Sequence, residues 1–376
     1  MSAQSARDWL RLSAARGLGA KSIATLIAHF GSPGKALSAS PASQRAAGLR
    51  DAQIDALERI DTQKVDAALA WLEHPDHHLI TLLDASYPAQ LKDIPDPPAM
   101  LFVDGDPDLL QMASLAIVGS RNPTSGGRDN ALQFSRFLAS RGLVIVSGLA
   151  SGIDTSAHGG ALRADGATIA VLGTGIDQYY PKENQSLQRR IATEGVVISE
   201  YPPDRGAAAG QFPARNRLIS GLSLGTLVVE ATNRSGSLIT ARMAGEQGRS
   251  VFAIPGSIHN PLARGCHQLI RQGALLVETA DDIFSELAPS LGSLRQPTTP
   301  TEPPTTPVHK SSEQPDQDYQ RVLDALGWDT VGMDTLVERT GLTAAELSSM
   351  LLIMELDGQV RSAPGGGFTR CSQSKA

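Results

Sequence analysis

The chain has 376 residues, of which 41% are hydrophobic and 19% charged, and its net charge is −6. This length accommodates two or three domains of ordinary composition. No apolar run reaches the roughly 18–20 residues that a membrane helix needs, so no membrane insertion is expected, and two cysteines are too few for a disulfide framework or a Cys-rich zinc site.

The distribution of charge bears on location and partners. Residues 1–17 carry four charged side chains and lack the uncharged core of a signal peptide, which predicts a cytoplasmic protein. Residues 113–287 hold 16 Lys and Arg against 14 Asp and Glu, whereas the region on each side is net −4. Lys182 is the only lysine of this middle region. Arginine suits bidentate phosphate contact, although an ordinary solvated surface is the alternative.

Residues 1–80 are predicted to form a small all-α domain of the SAM or helix-hairpin-helix type. Apolar residues recur at helical spacing within residues 18–32, and residues 51–72 indicate a further amphipathic helix. The turn Gly17–Gly19, followed by Lys21, resembles the hairpin of a helix-hairpin-helix, whose amides grip a phosphate. Acidic surroundings leave packing or partner binding as an equal alternative.

From Leu115 onward, short apolar β-branched runs alternate with helical segments and glycine-rich turns. This pattern is typical of a parallel sheet with helices on both faces. Residues 81–287, with a core at 113–287, are therefore predicted to form a Rossmann-like, doubly wound α/β domain. Such sheets bind ligands at the carboxyl ends of their strands. The predicted strands are 115–118, 144–147, 168–172, 196–199, 226–229, 251–254 and 275–277.

The C-terminal part divides into a linker and a small domain. Residues 288–317 are rich in Pro and Thr and are predicted to be a disordered linker. Residues 318–372 indicate three helices and a β-wing, the winged-helix pattern, with a capping box at Thr343–Glu346. The third helix, 343–357, carries three acidic residues and no Lys or Arg. The negative charge of this helix disfavours binding to DNA phosphates and favours a protein-protein or regulatory role for the domain.

The most informative motif joins a strand to a helix at residues 116–127. Gly119 lets the backbone approach an anion closely, and Ser120 and Thr124 supply hydroxyl groups. Arg121 adds a guanidinium group that can bind an anion through two N–H groups, next to the amides at the start of the helix. The motif favours a phosphate cradle over a plain tight turn. It is not a GxGxxG fingerprint, and no GxxxxGK[ST] occurs in the chain, so a P-loop ATPase is excluded.

Four more segments carry glycine, hydroxyl, amide or basic side chains suited to an anion. Turns that follow the strands of a doubly wound sheet gather along one edge. There they would form a groove lined by amides, hydroxyls and guanidinium groups, which fits an extended polyanion better than one small cofactor, and no cofactor is expected. The candidate residues are Ser147, Gly148, Gly173, Lys182, Phe212, Arg215, Asn216, Arg217, Ser235 and Gly236.

The sequence predicts neither a catalytic nor a metal site. Asp154 and His158 have the spacing of an acid–base pair, but no nucleophile accompanies them, and a cap with a hydrogen-bonded histidine is preferred. His74, His77 and His78 lack further ligands for a metal.

As a group, these motifs resemble the DprA/Smf family (DNA-processing protein A). The resemblance implies a protein that binds single-stranded DNA without cutting it during natural transformation and recombination. It also implies that the protein loads the RecA recombinase, displaces single-strand-binding protein and forms homodimers through the Rossmann-like domain. By motif match, Arg121 and its loop would contact DNA phosphates. The matching segments, within about residues 110–287, are Gly119–Arg121, Ser147–Asp154, Phe212–Leu222 and Pro255–Gly256.

An enzyme of the nucleotide phosphoribohydrolase type is the alternative on the same fold. That class uses a Pro-Gly-Gly-x-Gly-Thr-x-x-Glu motif. The nearest segment, Ser220–Glu230, lacks the Pro-Gly-Gly and places its glutamate one residue late. In a strand, that shift turns the carboxylate to the other face, so we disfavour an enzyme. Nucleotide sensing stays open, because a phosphate cradle does not distinguish a mononucleotide from a polymer.

Overall fold

The computed structural model describes residues 2–292, 317–326, 330–363 and 365–371. They belong to two compact units. The first holds the N-terminal helices and a nine-stranded sheet, and the second holds Pro123–Asn130 with the C-terminal helices and three strands. Of the disordered linker predicted at 288–317, residues 293–316 lie outside the described residues, whereas residues 288–292 and 317 belong to helices and not to a disordered segment. None of the helices described is long and apolar enough to cross a membrane.

The N-terminal region is all-α, as predicted. Trp9, Leu12 and Leu26 lie at its buried centre, and serine or aspartate side chains cap four of its helices. The single helix predicted over residues 51–72 is wrong, because the Asp61 side chain accepts a hydrogen bond from the Gln63 amide and starts a new helix there. The helices are α1 Ala3–Ala14, α2 Ala20–Phe30, α3 Pro33–Ser38, α4 Pro41–Ala46, α5 Asp51–Glu58 and α6 Thr62–Trp71.

The central sheet confirms the Rossmann-like, doubly wound prediction. Its strands are β1 His77–Thr81, β2 Met100–Gly105, β3 Ser114–Val118, β4 Val144–Ser147, β5 Thr168–Gly175, β6 Val196–Tyr201, β7 Gly225–Val228, β8 Ser250–Ala253 and β9 Leu275–Leu276. Their order is β1-β2-β6-β5-β4-β3-β7-β8-β9, in which β2 is antiparallel to both of its neighbours, β1 and β6, and all other pairs are parallel. The chain winds outward from β3 to β6 in one direction and from β7 to β9 in the other. The strand order therefore reverses between β3 and β7, where such sheets bind ligands.

Helices cover both faces of this sheet because buried side chains alternate along its strands. On β5, Leu172 belongs to the same core as Ile191 on one face, whereas Val171 belongs to a core with Leu218 on the other. The helices are α7 Ala89–Lys92, α8 Ser125–Ser140, α9 Ile153–Arg163, α10 Gln185–Glu194, α11 Gln211–Leu222, α12 Ser237–Glu246, α13 Arg264–Arg271 and α14 Ala280–Gly292.

The C-terminal unit confirms the winged-helix prediction. Its sheet has the antiparallel order β10-β12-β11, and Leu336, Leu347 and Leu351 are fully buried among its helices. The capping box forms, since the Glu346 amide donates to Thr343 Oγ1 and the Thr343 amide donates to Glu346 Oε2 at 2.8 Å. The elements are α15 Gln317–Leu326, β10 Val331–Gly332, α16 Met333–Thr340, α17 Ala344–Leu356, β11 Val360–Ala363 and β12 Gly367–Arg370.

Candidate functional site

A cavity of about 560 Å³ opens at the carboxyl ends of β3 and β7, where the strand order reverses. Its walls come from the turn after β3, from α11 and from the turn that precedes α12. Of the predicted site residues, those that line it are Gly119, Arg121, Phe212, Arg215, Asn216, Ser235 and Gly236.

The turn after β3 supplies an exposed cation. A Cβ on Gly119 would lie 2.7 Å from the Ile153 side chain and 2.9 Å from the Glu230 carbonyl oxygen, so glycine is required there. The Ser120 amide donates to that same carbonyl at 2.7 Å, which fixes the turn. Arg121 is exposed, and its side chain makes no hydrogen bond or ion pair within the described part of the chain. Its guanidinium group is therefore available to an anion.

The turn before α12 faces the same cavity with hydroxyls and a helix N-terminus. Ser235 Oγ and Ser237 Oγ lie 2.7 Å apart, and the Ser237 amide donates to Ser235 Oγ at 3.3 Å. Gly236 is exposed between them. The first amides of a helix carry partial positive charge and favour an anion. This turn therefore adds to the positive potential that Arg121 provides.

Two aromatic rings form one wall of the cavity. The ring centroids of Tyr180 and Phe212 lie 5.1 Å apart, and Tyr180 is 47% exposed. Gly173 makes room for Phe212, because a Cβ there would lie 2.7 Å from the ring. Gly173 was predicted in a turn but lies within β5, which continues past Leu172 to Gly175. Tyr180 was not selected from the sequence, although the two adjacent tyrosines that follow β5, Tyr179 and Tyr180, were a usable signal.

Arg215 lies beneath the cavity. It is 6% exposed, and its Nη1 donates to the carbonyl oxygens of Gly148, at 2.8 Å, and Val171. The Asp154 carboxylate accepts hydrogen bonds from the amides of Gly148, at 3.1 Å, and Ala150, at 3.3 Å. Burial raises the pKa of Asp154 to about 6 despite the opposing Arg215 charge, and burial lowers the pKa of Arg215 to about 10. The Asp154 carboxylate and the Arg215 guanidinium therefore bind main-chain amides and carbonyls, and the Arg215 guanidinium is not exposed to solvent.

Several other predicted residues lie outside the cavity lining. Ser147 is fully buried, and its hydroxyl donates to the Ile117 carbonyl at 2.7 Å. Arg217 pairs with Glu200 at 2.7 Å through a side chain that is 13% exposed. The Ser147 hydroxyl and the Arg217 guanidinium are therefore bound to other groups of the protein rather than exposed at its surface. Thr124 Oγ1 accepts a hydrogen bond from the Gly127 amide at 3.0 Å, and Lys182 is exposed in a short 3₁₀ turn.

The candidate acid–base and histidine groups have structural partners. His158 Nδ1 lies 2.7 Å from Thr168 Oγ1, and both residues are buried. His77 stacks on Trp71 with ring centroids 3.8 Å apart. Across the residues that could be searched, no group of three or more His, Cys, Asp or Glu side chains could hold a metal ion.

Family models match the chain in three parts. The model described as DNA recombination-mediator protein A matches residues 78–288, the DprA winged helix domain matches residues 296–366, and the DprA-like N-terminal HHH domain matches residues 3–63. The chain is 40% identical over 359 residues to Protein Smf of Escherichia coli, covering 95% of this chain and 94% of that protein. It is 50% identical over 206 residues to DNA processing protein DprA of Streptococcus pneumoniae, covering 55% and 73% of the two chains.

Solved structures agree with these matches. The X-ray structure of DprA from Streptococcus pneumoniae aligns with a TM-score of 0.66 at 41% identity, covering 73% of this chain and 95% of that one. DNA processing protein A from Helicobacter pylori, whose structure gives insights into its single-stranded DNA binding mode, aligns with a TM-score of 0.51 at 32% identity, covering 57% and 97%. The chain belongs to the DprA family of DNA recombination-mediator proteins.

Proposed function

We propose that this protein binds single-stranded DNA in the cavity between the ends of β3 and β7 and does not cut it. The observation that carries the proposal is the exposed Arg121, which has no partner among the described side chains and lies at the point where the strand order reverses. The single-stranded DNA binding mode addressed by the Helicobacter pylori structure supports it.

The phosphate backbone is bound by the charge of Arg121 and by hydroxyl groups. Arg121 makes a charge-assisted, bidentate contact with one phosphate. The Ser235 and Ser237 hydroxyls, at the partially positive N-terminus of α12, receive an adjacent phosphate. Because these groups recognise phosphate oxygens, the contact is independent of base sequence.

The aromatic wall supplies the preference for single strands. A base that has left the stack can lie on the rings of Tyr180 and Phe212, which line the same cavity as Arg121. Base–aromatic stacking contributes about 1–3 kcal/mol per base. Paired bases inside a duplex do not reach these rings, so duplex DNA loses this contribution.

We further infer a homodimer through the Rossmann-like domain at the β9 edge. β9 ends the sheet, and its Leu275 and Leu276 are 40% and 47% exposed. An edge strand with unpaired backbone groups and apolar side chains is suited to pairing with another chain. A second copy would bury both leucines and leave the ends of β3 and β7 open to DNA.

The family resemblance extends this proposal to partners and location. We propose that the bound strand is handed to the RecA recombinase in the cytoplasm during DNA uptake and recombination. Phosphate contacts that are independent of sequence suit this step, because they hold any incoming strand.

A catalytic function is not part of the proposal. Glu230 is 8% exposed and lies outside the cavity lining, and Asp154 is engaged by two backbone amides. A mononucleotide would satisfy the same phosphate cradle, so AMP is the second ligand to test.

The proposal predicts the outcome of a titration with single-stranded DNA, a duplex of the same sequence and AMP. Single strands should bind tightest, and the logarithm of the affinity should fall linearly with the logarithm of salt concentration, by about 0.7 per neutralised phosphate. Equal affinity for duplex, or no salt dependence, would overturn the proposal. Hydrolysis of AMP that disappears in Glu230→Ala would establish the enzyme alternative.

A further inference from the structure

The turn after β4, residues 148–152, directly supports the turn that carries Arg121. Gly152 has φ +86°, and a Cβ there would collide with the carbonyl oxygens of Ser120 and Arg121. The Ile153 amide donates to the Ser120 carbonyl at 3.1 Å. With the two backbones in contact, a change in the shape of the turn after β4 displaces Arg121.

Asp154 fixes the shape of the turn after β4. Its carboxylate accepts hydrogen bonds from the amides of Gly148 and Ala150, which flank Leu149. Leu149 has φ +56°, a left-handed conformation that a non-glycine residue adopts only where its surroundings impose it. Leu149 is fully buried, so the two hydrogen bonds and the surrounding packing impose this conformation together.

Arg215 ties the same turn to the rest of the fold. Its Nη1 bridges the carbonyl oxygens of Gly148 and Val171, and so joins the turn to α11 and β5. Three guanidinium atoms lie 2.8–2.9 Å from the place where a Cβ on Gly148 would stand, so the turn is packed tightly against this group. Arg215 donates to the carbonyl oxygen of Gly148 and Asp154 accepts from the Gly148 amide, so the two side chains hold the same residue of the turn.

We propose that Arg215 and Asp154 are positioning residues, two buried side chains that both bind the backbone of Gly148, hold the turn after β4 and through it place Arg121 against the DNA phosphate. Arg215 itself does not contact DNA. This inference rests on the proposed function, because it assigns the way in which that site is held in its binding shape.

A double-mutant cycle separates positioning from contact. The variants are Arg121→Ala, Arg215→Gln and the two combined, each titrated with single-stranded DNA over a salt series. Arg215→Gln alone should weaken binding by roughly tenfold, comparable with the loss of one phosphate contact. In the combined variant the affinity should lie within about twofold of Arg121→Ala, because residues that act through one another are not additive. The salt slope of the combined variant should equal that of Arg121→Ala.

If Arg215 contacts its own phosphate, the combined loss will be the product of the single losses, and the slope will fall by about a further 0.7. That result overturns the inference and leaves the proposed function intact. A parent protein that does not bind single strands, or an Arg121→Ala variant that binds like the parent, overturns both.

A charge-balanced variant guards against simple unfolding. Asp154→Asn combined with Arg215→Gln removes both buried charges, and we expect it to bind single strands more tightly than Arg215→Gln alone, because that single variant leaves a buried carboxylate without a nearby cation. Thermal melting of each preparation identifies any unfolded variant, and the balanced variant then takes the place of Arg215→Gln in the cycle. If the balanced variant, while folded, binds no better than Arg215→Gln, the positive charge of Arg215 is itself required and the inference is wrong.

Discussion

Arg121→Ala is expected to weaken binding of single-stranded DNA by about 1–3 kcal/mol, which is roughly 5- to 150-fold in affinity. The guanidinium is exposed and has no partner among the residues described, so its removal takes a charge-assisted contact from the DNA and nothing from the fold. The free energy of unfolding should change by only about 0.5 kcal/mol. Binding titration and thermal melting on the same preparation measure both quantities.

Arg163→Ala is the matched control for this substitution. Arg163 is an exposed arginine in the last turn of α9, a helix that starts at the carboxyl edge of the sheet and runs away from it. The same charge is lost far from the cavity, so affinity should stay within about twofold of the parent protein, since distant surface charges are largely screened. If Arg121→Ala binds like the parent, or binds weakly only because it melts earlier, the DNA site has been misplaced.

Leu275→Asp is expected to convert the proposed homodimer into a monomer. At the proposed interface the carboxylate would be buried without a partner, which costs several kcal/mol and weakens dimerisation by at least about 100-fold. Sedimentation or light scattering should show the mass falling from twice 39.6 kDa to 39.6 kDa. The folded protomer should persist, because Leu275 is already 40% exposed within it.

Leu83→Asp is the matched control for Leu275→Asp. Leu83 is 56% exposed in the loop after β1, at the opposite edge of the sheet from β9. It should leave the mass unchanged. A parent protein that is monomeric at micromolar concentration, or a Leu275→Asp variant that remains dimeric, would contradict the assignment of β9 as the interface.

The sequence was most informative where local chemistry and strand pattern agree. Apolar β-branched runs and the Gly119–Arg121 turn depend on short-range features, and the structure confirms the doubly wound sheet that they indicate. Within α11, the sequence pattern did not indicate the directions of the side chains. Arg215 and Arg217 lie two positions apart on a helix, so their side chains point roughly 200° apart. A segment that suggested one basic cluster therefore directs Arg215 to backbone carbonyls and Arg217 to Glu200.

Other features depended on contacts between distant residues. Arg215 of α11 and Asp154 of α9 both bind the backbone of Gly148, and no spacing rule connects them. Tyr180 reaches the cavity because Phe212, from a different element, packs beside it. Predicting either contact requires the order of the strands, which the alternation of apolar runs does not determine.

Backbone hydrogen exchange with and without saturating single-stranded DNA tests the location of the site most directly. The account predicts slower exchange in the bound protein at Gly119–Asn122 and at Ser235–Leu238, the turns that follow β3 and β7. The same measurement on Arg121→Ala at equal DNA concentration should show less protection at both turns. Protection confined to the N-terminal helices α1–α6 or to the winged helix, with both turns unchanged, would contradict it.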